Sequence, residues 1–175
     1  MNVIFRAQTS FIQRVRADLR RPHPFADERV GFITIRAAAF GRTLLLLPQE
    51  YHPVADADYV RDSTVGAMLG QEALRKALEI ALLNEVGIIH VHMHHWPTRL
   101  WFSRTDLREQ LKFMPDFFKV RRGMPHAAVV LSPGAAAGRV WLAPDQIERI
   151  AEFNLIGPRV ELFHSDSTGA VEYVQ

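Results

Sequence analysis

The chain has 175 residues, 48% of them apolar, and a formal charge of +2, which fits one folded domain with a real core and excludes a disordered chain. Its basic clusters, Arg14, Arg16, Arg20 and Arg21, then Lys119, Arg121 and Arg122, lack the density and interleaved aromatics of a nucleic-acid tract and read as solvated faces. The absence of cysteine removes disulfides, Cys-ligated zinc and every thiol nucleophile.

Taken in order, residues 8–20 place Phe11, Ile12, Val15 and Leu19 on one helical face, and Pro22-His23-Pro24 ends that helix. Residues 30–36 and 42–47 are predicted strands joined by a turn near Gly41. The four leucines at 44–47 lie between Arg42 and Pro48, far short of a membrane span, and the N-terminus lacks the long apolar run of a signal peptide. A cytoplasmic protein with neither nucleic acid nor membrane as partner is therefore expected. Residues 52–68 read as a long loop, and 71–84 as an amphipathic helix with Leu74, Ala77, Leu78, Ala81 and Leu82 at helical spacing. Residues 86–92 read as a buried strand, and a further helix begins at Ser103. Strands follow at 127–131, 139–142 and 159–163, with a helix expected over 144–153 because Asp145 near its start suits the dipole. The pattern is mixed α/β, a sheet flanked by helices.

The chemistry concentrates in His90-Val-His92-Met-His94-His95. Side chains alternate along a strand, so His90, His92 and, if the strand continues, His94 share a face. Clustered imidazoles are costly to bury unless something coordinates them. Nitrogen ligands without sulfur favour zinc or another borderline divalent metal over calcium or magnesium. A catalytic zinc takes three protein ligands, and Asp106 is the obvious carboxylate. Ser103 and Asp106 also fit a helix N-cap with an acid at the third helical position. The two readings are compatible, since a first-turn Asp can face a neighbouring strand end. His95 points to the opposite face in an extended chain. Trp96 and Trp101 read as packing beside the cleft.

His-x-His followed by Ser-x-x-Asp resembles the JAMM (JAB, MPN-domain) zinc metalloproteases, which cut ubiquitin and ubiquitin-like proteins from their targets. Val86-Gly-Ile-Ile-His90-Val-His92 is similar to the family's strand, Glu28-Arg-Val-Gly31 to its Glu-x-x-Gly segment, and Ser103-Arg-Thr-Asp106 to the end of its motif. The likeness spans roughly residues 20–145. Met93 stands where the family usually has Pro, and the gap from His92 to Ser103 is three residues longer than usual. The Gly-Ile-Ile before the pair favours His90, His92 and Asp106 as ligands; the spacing favours the alternate set His92, His94 and Asp106. The resemblance implies an MPN-like α/β domain over residues 1–175 and a Zn2+ cofactor. It implies Glu28 as general base, with Glu50 as a fallback, and Ser103 as oxyanion donor. The implied partners are a ubiquitin-like protein or its conjugates with cognate activating and conjugating enzymes, including those of antiphage defence systems. The implied reaction is cleavage after the C-terminal tail. The alternatives are a metal-free MPN scaffold and, on His-x-His-x-x-His spacing, a metallo-β-lactamase-like hydrolase.

Overall fold

The computed structural model describes residues 1–62, 64–94, 100–164 and 171–173. Strand β1 (Asn2–Gln8) runs directly into helix α1 (Thr9–Leu19), followed by the long hairpin β2 (Val30–Phe40) and β3 (Thr43–Pro53). A 3-10 turn at Asp56–Asp58 leads to the short pair β4 (Tyr59–Val60) and β5 (Met68–Leu69). Helix α2 (Gln71–Asn84), strand β6 (Gly87–Met93) and helix α3 (Arg104–Val120) come next. The rest is β7 (His126–Leu131), β8 (Ala136–Ala143), β9 (Gln146–Arg149), β10 (Glu152–Ile156), β11 (Val160–His164) and β12 (Val171–Tyr173).

Ten strands form one mixed sheet in the order β12-β11-β10-β1-β3-β2-β6-β7-β8-β9. Among the described residues, only β1–β10, β1–β3 and β6–β7 pair in parallel. The sheet curls strongly and dominates the described residues, against three α-helices among them. This overturns the expected MPN-like α/β architecture of a mixed central sheet flanked by helices.

Two segments account for the difference. Residues 2–8 alternate, with Val3, Phe5 and Ala7 buried and Asn2, Arg6 and Gln8 exposed, the period-2 signature of a strand. The helix expected over 144–153 is instead a hairpin and a central strand. Pro144 and Asp145 are its two turn residues between Ala143 and Gln146, and Pro and Asp are strong turn formers. Beyond the turn, Phe153, Asn154 and Leu155 are buried consecutively where β10 lies between β1 and β11. Pairing on both edges outweighs a modest helical pattern, because every backbone N–H and C=O there finds a ladder partner.

The sheet separates two apolar clusters. Phe11, Ile12, Val15 and Leu19 of α1 pack with Val3, Phe5, Ile33 and Ile89 on one face. On the other, Ala73, Ala77 and Ala81 of α2 and Met114, Phe117 and Phe118 of α3 pack on Val30, Phe32, Ile88 and Ala128. Burying each of the larger side chains contributes about 1.5–3 kcal/mol. Because β2 and β6 pair with Val30 opposite His92 and Phe32 opposite His90, both histidines face α3.

No helix among the described residues is long and apolar enough to cross a membrane.

Candidate metal centre

Strand β6 ends at Met93, yet the His94 N–H still donates to Leu131 O at 2.9 Å, continuing the parallel ladder with β7. The alternation therefore reaches His94. The Nε2 atoms of His92 and His94 approach to 3.2 Å.

Helix α3 supplies the carboxylate. Ser103 is its N-cap, with Oγ accepting from Asp106 N–H at 3.1 Å while Ser103 N–H donates to Asp106 Oδ2 at 2.7 Å. This is a reciprocal capping box. It fixes the Asp106 rotamer so that Oδ2 lies 3.6 Å from His92 Nε2 and 3.8 Å from His94 Nε2. Burial raises the Asp106 pKa, but hydrogen bonds and charge from His92 and Ser103 outweigh it, so the carboxyl is held well below the usual carboxylate range.

Glu28 arrives from the segment entering β2. Its neighbour Arg29 is almost fully buried and satisfied, with Nε donating to Arg21 O at 2.9 Å, Nη2 to Pro22 O at 2.7 Å and Nη1 pairing with Asp56 Oδ1 at 2.7 Å. Tyr59 Oη accepts from Val30 N–H at 2.8 Å, and Asp27 and Glu28 N–H both donate to Gly66 O. Gly31 belongs to the same framework: a Cβ there would run into the Tyr51 ring. So braced, Glu28 Oε1 lies 3.8 Å from His94 Nε2. Glu28, His92 and His94 each offer a ligand atom, and these lie within 4.8 Å of one another.

Four protein ligands around zinc at 2.0–2.1 Å in tetrahedral geometry sit about 3.4 Å apart. The separations of 3.2, 3.6 and 3.8 Å among His92, His94 and Asp106 fit three corners of such a site. Access is graded: the His92 side chain is 2% exposed, against 20–27% for His94, Asp106 and Glu28. Burial lies on one side and a cavity of about 480 Å³ on the other.

Of the two histidine registers, the structure gathers His92 and His94. His90 shares their face but lies one step deeper, against Phe32 and Phe113. Burial, with the His92 charge adding to it, lowers its pKa to about 3. Glu50 is 73% exposed and sits beside His52 at a second cavity, away from the group. His95 and Trp96 lie outside the described residues. Trp101 packs against Phe102 and under Arg149.

Sequence reading missed the bracing groups Arg29, Tyr59 and Gly66, whose roles depend on long-range neighbours. It also missed Gln110, although its position one helical turn after Asp106 was legible. Neither the known family models nor the curated proteins contain a match for the chain.

Proposed function

We propose that the chain is a zinc-dependent hydrolase of peptide or isopeptide bonds. The observation that carries it is the convergence of His92 Nε2, His94 Nε2 and Asp106 Oδ2, no pair more than 3.8 Å apart, beside a second carboxylate at the edge of a cavity. The donor set of two nitrogens and an oxygen suits zinc. When bound, zinc lowers the pKa of water toward about 7 and polarises a carbonyl.

The residues divide the remaining work. His92, His94 and Asp106 hold the ion. Glu28 takes the proton from water as the oxygen adds to the carbonyl carbon, and gives it to the nitrogen as the C–N bond breaks, leaving a carboxylate and an amine. Ser103 Oγ spends a lone pair on the Asp106 N–H, so its own O–H remains to donate to the carbonyl oxygen as charge develops there. The substrate assignment, a ubiquitin-like protein cut after its C-terminal tail in a conjugate or a precursor, is supported by the order Glu28, His-x-His, Ser-x-x-Asp and not by the architecture.

The test is metal analysis of the purified protein with cleavage of ubiquitin fused through its C terminus to a fluorescent protein. One zinc per chain is expected, cleavage is expected to stop with 1,10-phenanthroline, and added zinc is expected to restore it. A metal-free protein that is inert and indifferent to the chelator would be a binding module instead.

Gly66 gives a finer check on Glu28. A Cβ at Gly66 would sit 2.9 Å from Glu28 Cδ and 3.0 Å from its Oε2, and the flexible carboxylate is what yields. Gly66→Ala is expected to retain zinc and thermal stability and to lose about a hundredfold in kcat, the scale of a misplacement near 1 Å. Unchanged turnover would show that the observed Glu28 pose is not the working one.

A further inference from the structure

Below the candidate metal centre lies a second tier of polar groups that its chemistry does not use. Gln110 is 1% exposed, lines the cavity, and has a hydrogen-bond partner for neither Oε1 nor Nε2 among the described residues. His90 of β6, which also lines the cavity, is 8% exposed, and its Nδ1 is equally unpartnered among the described residues. Buried polar atoms are almost always paired, and leaving them unpaired costs stability. A full carboxamide without partners, on the same helix stripe as Met114, Phe117 and Phe118, calls for a reason.

We propose that Gln110 is a substrate-binding residue that receives the N–H and C=O of one residue of an extended peptide about two residues from the scissile bond. The proposal rests on the hydrolase reading above and adds how the substrate backbone is held.

Two arguments fix the ligand chemistry and the position. A carboxamide presents a donor and an acceptor together. In an extended chain the N–H and C=O of one residue leave from the same edge, as in the bonded pairs of an antiparallel ladder. Gln110 can therefore satisfy both at once, and both its orphaned atoms are used. The position follows from helix geometry. Gln110 follows Asp106 by four residues, a rise of about 6 Å, and His90 precedes His92 by two residues of strand, about 6.6 Å. The two elements run in opposite directions, with His90 packed on Phe113 at a ring separation of 5.1 Å, so the unused groups stand at a common depth. At about 3.3 Å per residue that depth is two residues of extended chain.

The experiment combines NMR with kinetics. The side-chain amide signals of Gln110, assigned by their loss in Gln110→Met, are followed in the zinc-loaded Glu28→Gln protein as N-acetyl triglycine amide is added to saturation. They are expected to shift as a hydrogen bond forms where none existed. With the ubiquitin fusion, Gln110→Met is expected to raise KM at least about tenfold, roughly one net hydrogen bond, with kcat falling by less. Its zinc content should hold. Its thermal midpoint should match or exceed wild type, because an apolar side chain of similar volume removes the unpaired atoms. Gln110 signals that stay still at peptide concentrations that shift the rest of the site, or signals that stay still throughout the protein, overturn the proposal. So does a lowered midpoint with unchanged KM, which marks a structural role. Peptide-dependent shifts without cleavage by wild type would keep Gln110 as a peptide-binding residue, and would remove the hydrolase reading and with it the placement relative to a scissile bond. Cleavage without any Gln110 response would do the reverse.

Discussion

Asp106→Asn is expected to bind zinc at least about a hundredfold more weakly than wild type, measured by competition with a chromophoric chelator. Loss of an outer partner of a metal ligand costs 10–100-fold, and Asp106 is placed to be a ligand itself, with Oδ2 within 3.8 Å of both imidazole nitrogens. Asparagine keeps an oxygen that can accept from Ser103 N–H, so the start of α3 should survive. Asp106→Ala removes that acceptor as well, and losing this half of the capping box should lower the stability of the metal-free protein by about 1 kcal/mol. Chemical denaturation of the two metal-free variants separates the cap from the ligand. Undiminished zinc affinity in Asp106→Asn would transfer the third ligand to Glu28, which also lies within reach of His94.

Glu28→Gln is the complementary experiment, with the largest expected effect on turnover. The variant should retain one zinc per chain and lose cleavage by about 10²–10⁴-fold, the contribution of a placed general base. The glutamine keeps the shape beside Gly66 and His94 and cannot take a proton from water. Loss of zinc together with activity would make Glu28 a ligand; full activity would remove it from the reaction. Together the two variants separate the carboxylate that holds the metal from the one that moves the proton. That separation matters because His94 Nε2 lies at the same distance, 3.8 Å, from both.

Much of the site was legible before any coordinates. Four histidines in six positions, an Asp three residues after a Ser, and a Glu ahead of a strand name most of the groups that meet. The cap reading of Ser103 holds, and the hydrogen bond that starts α3 also brings the Asp106 carboxylate to within 3.6 Å of His92 Nε2, the position its proposed ligand role needs. Which histidines meet was not legible. It depends on how far the strand runs, and that is set by a backbone bond from His94 to Leu131, a residue on another strand.

The local elements show the same division. Sequence by itself determined α1, α2, the start of α3 and the β2–β3 hairpin, because their apolar period, caps and turns are written within a few residues of each other. Only tertiary structure decided that the segment 144–153 turns into β9 and β10 instead of a helix, that β1 joins the sheet between β3 and β10, and that a curled ten-stranded sheet outweighs the helices among the described residues. It also decided that Gln110 lies buried with its amide unpaired among the described residues. The physical reason is that helices close their hydrogen bonds within one segment, whereas strands and buried polar groups depend on partners remote in sequence.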